Sequence, residues 1–223
     1  MSALDGVVAI ARPSLHAELV ARLQDMIVDG TLVAGEKVPE RALCEKMGVS
    51  RTPLREALKV LAADGLLTLE PNRGARVRKV TLAELEEAFP LMGALEALAG
   101  ELACRHVTHS QLQGIRDTHR HMLDCYAARD LTGYFRHNQR IHERFTEASG
   151  NALLGSMYRS LAVRVRRARY QATMDEARWA CAVAEHCQML EALEARDGER
   201  LAAILKLHLE NKFATVRAWL AAN

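Results

Sequence analysis

Aromatic residues, glycine and proline are all scarce in this sequence: Phe, Trp and Tyr make up 4% of the 223 residues, beside 13 glycines and 5 prolines. Alanine, leucine, glutamate and arginine are abundant instead, which predicts a mainly α-helical protein. No run of about 18 apolar residues is present, and the first residues show no signal-peptide pattern, so we expect a cytoplasmic protein without a membrane partner. The five cysteines form no CxxC pair, which favours free thiols.

A strong excess of one charge is also missing, since the formal net charge is only +2. The distribution of the charges is more informative. Residues 1–80 carry 12 basic and 10 acidic side chains, and residues 81–223 carry 18 of each. Within the first part, residues 72–79 contain four basic side chains and no acidic one. Because DNA affinity depends on local phosphate contacts, such a patch indicates a nucleic-acid partner better than the total charge does.

The first part of the chain has the pattern of a winged helix-turn-helix. Helical apolar periods, separated by glycine and proline, predict three helices, and two short strands flank a Pro-Asn-Arg-Gly turn. These five elements span residues 14–28, 39–47, 52–63, 66–70 and 75–80. We assign residues 14–80 to this domain and residues 1–13 to a flexible N-terminus. A small helical domain with a solvated hairpin is the alternative, but it does not explain why arginines gather at one helix start and at the hairpin tip.

The third predicted helix has the features of a DNA recognition helix. Its first turn follows a Gly-Val-Ser turn and carries Arg51 and Arg55, four residues apart. Thr52 is a candidate N-cap, and Pro53 would then occupy the first helical position, where its missing N–H costs nothing. Basic and hydroxyl side chains at the exposed start of the second helix of a helix-turn-helix are suited to a DNA major groove.

The second part, residues 81–223, contains only helical patterns. Thr81 and Glu84 form a predicted capping box that opens it. The predicted helices span residues 82–88, 91–106, 109–128, 131–148, 152–171, 175–196 and 199–221. Pro90 is expected to kink or split the first pair. We therefore expect an antiparallel all-helical bundle of six or seven helices.

Three histidines of this bundle are placed so that they can meet. His186 and His208 lie at nearly equal distances from the Asp197-Gly198 turn, so they come level in an antiparallel helix pair. Asn138 and His142 are four residues apart and share one helix face, which Tyr134 extends. Three imidazoles and a side-chain oxygen are plausible ligands of a divalent metal ion, although helical histidines are more often surface or ordinary core residues.

A run of four arginines between residues 164 and 169 is the second polar feature of the bundle. Such a run fits a solvated face, a DNA-facing patch or an anion pocket, and Arg164 is the arginine that we predict to contact an effector. Catalytic motifs are absent: the sequence contains no HExxH, no Ser or Cys nucleophile motif and no glycine-rich phosphate loop.

These motifs resemble a known family. Residues 35–40, 48–58, 64–67 and 72–74 are similar to the GntR family of bacterial transcription regulators. The rest resembles the FadR-type subfamily, which has an all-helical FCD effector domain. The matching residues there are Leu95-Glu96, His142, Ser149-Gly150-Asn151, Glu185-His186, Ala192-Leu193, Asp197 and His208.

The resemblance implies a homodimer, a palindromic double-stranded DNA operator and a small organic acid as effector. In the family, DNA is contacted by arginines of the helix-turn-helix, by the residues beside them and by the wing tip. The corresponding residues here are Arg41, Ser50, Arg51, Thr52, Arg55, Asn72, Arg73 and Gly74.

The resemblance also implies a metal site, because the family's ligands, one Asp and three His, fall on Asn138, His142, His186 and His208. We expect a divalent ion, with zinc or nickel favoured. Two positions depart from the family. Asn138 replaces the Asp, so the site brings one negative charge fewer, and Met92 replaces an arginine that often contacts the anion. The predicted effector contacts are Tyr134, Asn138 and Arg164.

The sequence thus predicts a ligand-responsive transcriptional regulator, with a repressor favoured, and no enzyme activity. Two alternatives remain at this point. One is a metal-dependent hydrolase built on the three histidines, which lacks an assignable general base. The other is an architectural DNA binder whose bundle only dimerises.

Overall fold

The structure is a computed structural model that describes residues 15–71, 73–172 and 176–222. The chain divides into two compact units, with the boundary between Lys79 and Val80. Each unit has its own hydrophobic core. Across the described ranges, none of the helices combines the length and the apolar character that a membrane span requires.

The first unit is a three-helix winged fold, as predicted. Its helices are α1 (Leu15–Val28), α2 (Glu40–Met47) and α3 (Arg51–Ala63), and its strands are β1 (Leu67–Glu70) and β2 (Gly74–Val77). The strands pair antiparallel, with Leu67 opposite Val77 and Glu70 opposite Gly74. The segment before α2 extends this hairpin, because Val38 N–H donates to Ala75 C=O and Val77 N–H donates to Glu36 C=O.

The turn between α2 and α3 depends on a glycine. Gly48 follows the last residue of α2 with φ +66°, a left-handed conformation that non-glycine residues rarely adopt. Helix α3 then begins at Arg51 with Ser50 as its N-cap, so Thr52 is not the cap and Pro53 is the third helical residue. The shift is tolerated because none of the first N–H groups of a helix has an intrahelical acceptor.

The second unit is an antiparallel bundle of six helices within the described residues. They are α4 (Leu82–His106), α5 (His109–Ala127), α6 (Leu131–Ala148), α7 (Ala152–Ala172), α8 (Glu176–Glu194) and α9 (Gly198–Ala222). Thr81 and Glu84 form the predicted capping box at the start of α4, and Thr108 and Gln111 form a second one before α5.

Helix α4 continues through Pro90, so the expected split into two helices is wrong. Its packing against α9 supports it along much of its length: Gly100 is so close to Leu201 and Leu205 that an added Cβ would meet their side chains. Helix α6 also packs against α4, and α8 packs against α9. Helices α4, α6, α8 and α9 therefore converge on one interior region, which contains the predicted metal ligands.

Candidate DNA-binding surface and metal centre

The start of α3 presents basic side chains to solvent. Leu54, Ala57 and Leu58 hold the inner face of the helix in the core, and this orientation leaves Arg51 and Arg55 exposed on the opposite side. The predicted DNA-contacting residues Arg41, Ser50 and Thr52 are exposed as well.

The partners of these arginines differ. Arg55 Nε lies 3.0 Å from Glu40 Oε2, and Arg41 Nε lies 2.9 Å from Glu45 Oε1. Arg51 has no ion-pair partner within the part of the chain that the structure describes. Exposed ion pairs of this kind are weak, so a phosphate can replace the carboxylate at low cost. The surface is therefore accessible to an anionic partner.

The wing provides the other edge of this surface. Arg73 is exposed at the hairpin tip, while Asn72, also predicted to contact DNA, lies outside the described residues. Gly74 has φ +91°, and a Cβ there would come 2.7 Å from Glu40 Oε1. Arg76 bonds to Glu70 and to the carbonyl oxygen of Gly35, so it stabilises the hairpin. Arg73 is thus placed to contact a partner, and Arg76 has a structural role.

The three predicted histidines form one buried cluster in the second unit. His142 comes from α6, His186 from α8 and His208 from α9, and each is at most 1% exposed. One ring nitrogen from each lies within 4.8 Å of the other two. Nε2 of His142 and of His208 has no hydrogen-bond partner among the described residues. Buried imidazole nitrogens without partners, this close together, fit a divalent metal ion.

Two glutamates lie against the rings of His142 and His208. Glu96 Oε2 lies 2.8 Å from His142 Nδ1, and Glu185 Oε2 lies 2.5 Å from His208 Nδ1. An Nδ1–H that faces a carboxylate leaves Nε2 as the lone-pair nitrogen, which is the tautomer that binds a metal. Sequence reasoning missed both roles. Glu185 points away from its neighbour His186, as the helix geometry requires, but it reaches His208 on the next helix.

Asn138 lies at the same cluster, but its amide nitrogen, rather than its oxygen, faces His186 Nε2, at 2.5 Å. Its Oδ1 accepts a hydrogen bond from Gln139 Nε2 at 3.3 Å. The two ends of an amide are nearly isosteric, so turning the group would present Oδ1 to the centre of the cluster. The predicted oxygen ligand is therefore within reach of the site in only one of the amide's two orientations.

The ionisation states of the cluster suit a metal. Burial lowers the pKa of His142, and burial together with nearby positive groups lowers the pKa values of His186 and His208 well below the ordinary value. Burial acts to raise the pKa of Glu96, but His142 and Arg169 hold it below its usual value. The histidines are thus neutral at pH 7, as metal binding requires, while Glu96 remains ionised.

Arg169, rather than Arg164, is the arginine that lies beside Glu96 and this cluster. Arg164 is exposed on α7, and its contact with an effector stays a prediction. Arg169 is fully buried, and its Nη1 lies 3.4 Å from the Tyr158 hydroxyl and 3.9 Å from Glu96 Oε1. The sequence indicated only that the run of arginines was unusual. The packing of α7 decides which of them is buried and which is exposed.

Tyr134, the other predicted effector contact, is fully buried one turn before Asn138 on α6. Its ring packs edge-on against Trp179, with ring centroids 5.1 Å apart. Its hydroxyl has no hydrogen-bond partner among the described residues, and burial raises its pKa. Tyr134 therefore has a free polar group in the interior close to Asn138, but much of its ring serves the core.

Comparison with known proteins agrees with this division into two units. Residues 15–77 match the family described as bacterial regulatory proteins, gntR family, and residues 87–211 match the FCD domain. The chain is 30% identical over 205 residues to the probable D-xylose utilization operon transcriptional repressor of Paenarthrobacter nicotinovorans, covering 90% of each chain. It is 25% identical over 203 residues to the HTH-type transcriptional repressor RspR of Escherichia coli, covering 91% of this chain and 89% of that one.

The fold has close counterparts among solved structures. The chain aligns with E. coli McbR/YncC at a TM-score of 0.83 and 22% identity, over 93% of this chain and 99% of that one. A GntR-type regulator from Rhodococcus sp. RHA1 aligns at a TM-score of 0.77 and 23% identity, over 92% of this chain and 98% of that one. With both domains matched, the chain belongs to the GntR family of bacterial regulatory proteins, and it is a DNA-binding transcriptional regulator with an FCD domain rather than an enzyme.

Proposed function

We propose that the protein is a ligand-responsive repressor whose DNA affinity is controlled by a divalent metal ion and a small carboxylate in the helical unit. The observation that carries this proposal is the buried cluster of His142, His186 and His208. Nε2 of His142 and of His208 lacks a hydrogen-bond partner among the described residues, and a carboxylate lies behind each of these two rings. A core needs no such cluster for stability, because buried polar groups without partners cost free energy.

The metal would be held by the three imidazoles, with Asn138 as a fourth ligand if its oxygen faces the ion. Imidazole ligands suit zinc or nickel, and a neutral asparagine leaves the full positive charge of the ion to attract an anion. Such an ion offers open coordination positions to a carboxylate. The effector would therefore bind to the metal, next to the buried Arg169.

On the DNA side, α3 would lie in a major groove. Arg51 and Arg55 would contact base edges or phosphates, and Arg73 at the wing tip would contact the backbone or a minor groove. A dimer would place two such helices on a palindromic operator, about 34 Å apart if the half-sites are one helical turn apart. The effector changes repression only if it binds the DNA-competent and incompetent states of the dimer unequally.

An exposed apolar stripe on α4 supports the proposed dimer. Leu91 is 57% exposed and Leu98 is 44% exposed, one heptad apart, and Leu95 lies half-buried between them. Glu87 is exposed toward the N-terminal end of the stripe and Arg105 toward the C-terminal end. Two antiparallel copies of α4 would bury these leucines and bring opposite charges together.

Analytical ultracentrifugation should give twice the mass of one chain, and a Leu91→Glu, Leu98→Glu double variant should sediment as a monomer.

The function is tested with full-length protein and a duplex that the protein itself selects from a randomised pool. Affinity for this duplex is measured on metal-loaded and on chelator-treated protein, with and without acetate, lactate, succinate and citrate at constant ionic strength. We expect at least one acid to change DNA affinity by roughly 5- to 150-fold, and only in the metal-loaded protein. Elemental analysis of the same samples reports the bound ion.

One outcome would replace the proposal. If the selected duplex is bound equally tightly in every condition, the helical unit only assembles the protein, and the chain is an architectural DNA binder. The salt dependence of binding provides the control, because the phosphate contacts of the first unit must weaken with added salt whether or not an effector binds.

A further inference from the structure

One buried cation close to the histidine cluster, Lys212, lacks a hydrogen-bond partner in the part of the chain that the structure describes. Lys212 lies on α9, four residues after His208, so both side chains project from the same face of the helix. It is 1% exposed, and its Nζ has no hydrogen-bond partner among the described residues. Lysine is almost never fully buried without a paired acid, so this position needs an explanation beyond packing.

The two acids that contact the histidine cluster, Glu96 and Glu185, also pair with arginines. Glu96, at 2% exposure, lies 3.9 Å from Arg169 Nη1. Glu185 makes two hydrogen bonds with Arg178, one from Nη1 to Oε1 at 2.8 Å and one from Nη2 to Oε2 at 2.5 Å. Each glutamate also contacts one histidine of the cluster. Lys212 therefore lacks an acid of its own. Burial, together with Arg169 and Arg178, lowers the pKa of Lys212 well below the ordinary lysine value, so its charged form needs an additional acid.

A divalent ion on the histidines would add positive charge to this buried region. The three imidazoles are neutral ligands, and Asn138 adds no charge, so the full charge of the ion stays in the buried region. There it disfavours a charged Lys212 until an acid is present. One carboxylate neutralises only part of it. A ligand with two carboxylates would provide one group for the metal and a second for Lys212, in a place where water cannot compensate.

We infer that Lys212 binds a second acidic group of the effector, and that the effector is therefore a small dicarboxylate rather than a monocarboxylate. This inference rests on the proposed metal-dependent effector binding. It assigns selectivity for the effector to a residue on α9 that the sequence analysis did not name. Met92 is apolar at the position where the family often has an anion-binding arginine, so another cation is needed for that contact.

The test compares acids that differ only in a second carboxylate. Binding of succinate and butyrate, of malate and 3-hydroxybutyrate, and of glutarate and pentanoate is measured by calorimetry on metal-loaded, full-length protein at constant ionic strength. We expect at least one dicarboxylate to bind roughly tenfold tighter than its monocarboxylate partner. Lys212→Met should weaken that dicarboxylate by roughly 10- to 100-fold, the range of a hydrogen bond to a charged group, and leave the monocarboxylate unchanged.

Two further variants keep the test interpretable. Lys206→Met removes an exposed lysine from the same helix and should change neither affinity. Lys212→Arg keeps the charge and should retain part of the preference for the dicarboxylate. Circular dichroism of each variant confirms that the bundle is folded, and methionine is not expected to disturb a buried position.

The outcomes separate this inference from the proposed function. If Lys212→Met keeps the full preference, or if the parent binds each pair of acids equally, the role of Lys212 is wrong and the metal-dependent sensor stands. If no acid of either kind binds to the metal-loaded parent, the proposed effector function is contradicted, and the inference about Lys212 is contradicted with it.

Discussion

The two units of this protein treat charged side chains in opposite ways. In the first unit, Arg41, Arg51 and Arg55 are exposed and pair, if at all, with acids on the same surface. In the second unit, Glu96, Arg169 and Lys212 are buried beside three histidines. The exposed groups stay hydrated, so they cost almost no folding free energy, and they are accessible to a binding partner. The buried groups cost free energy, because each charge is removed from water.

This difference indicates what each unit is built to recognise. An exposed basic surface suits a long polyanion such as DNA, which contacts many side chains at once and releases counterions. A buried polar cluster suits a small ligand that can be surrounded, since the low dielectric strengthens each contact. The predictions below test this contrast, beginning with the buried cluster, where removal of one group should have the largest effect.

Replacement of His186 by alanine should have the largest effect. It removes one of three imidazole ligands, so we expect the affinity for zinc or nickel to fall by more than about 100-fold. Replacing a residue that only hydrogen-bonds to a ligand costs less, about 10- to 100-fold. Competition with a chromophoric chelator measures this affinity. His109→Ala, which removes an exposed histidine, is the matched control and should have no effect. Equal metal affinity in the two variants would show that the cluster is not the site.

Replacement of Glu96 by glutamine should have the next largest effect. Glu96 faces His142 Nδ1, so the amide would keep the shape of the side chain but lose the charge that favours the metal-binding tautomer. We expect the metal affinity to fall by roughly 10- to 100-fold. Glu101→Gln, a partly exposed position on the same helix, provides the control. A loss confined to thermal stability, with metal affinity intact, would restrict Glu96 to a structural role.

Replacement of Arg51 by alanine tests the exposed surface. Its loss should weaken binding to the selected duplex by roughly 5- to 150-fold, the range of about 1–3 kcal/mol for one good base contact, while metal content and thermal stability stay unchanged. Arg22→Ala on α1 removes another exposed arginine, one that pairs with Glu18, and serves as the control. If both variants bind the duplex as tightly as the parent at the same salt concentration, α3 is not the recognition helix.

The two regions also differ in how far the sequence predicts them. The winged fold depends on local signals, such as the glycine after α2 and the turn before Gly74, so its elements were predicted to within a few residues. The exact start of α3 was not predicted correctly, because Ser50 and Thr52 are both good N-cap residues. Whether the helix continues through Pro90 depended on the packing of α4 against α9, which no local sequence pattern reveals.

In the buried cluster, the spacing around the Asp197-Gly198 turn predicted that His186 and His208 come level, but the prediction that His142 joins them rested largely on the family resemblance. The residues behind them were not predictable in this way. Glu96, Glu185 and Arg169 reach the cluster from different helices, and their roles depend on the rotation of each helix in the bundle. Arg164 and Arg169 belong to the same basic run, and only the packing of α7 makes one exposed and the other buried.

Protonation of the cluster should give the smallest effect. Because burial lowers the pKa values of His142, His186 and His208, the unfolded chain binds more protons than the folded one once the pH falls below the ordinary histidine value of about 6.5. The stability of the metal-free protein should therefore be complete above that pH and decrease below it. We expect the Tm to fall by a few °C, on the order of 2–4 °C per kcal/mol for a chain of this size, as the pH is lowered toward 5. Thermal unfolding followed by circular dichroism measures it. His186→Asn should make the decrease in Tm with falling pH shallower, and the exposed His109→Asn should not. Equal slopes in both variants would show that groups outside the cluster cause the pH dependence.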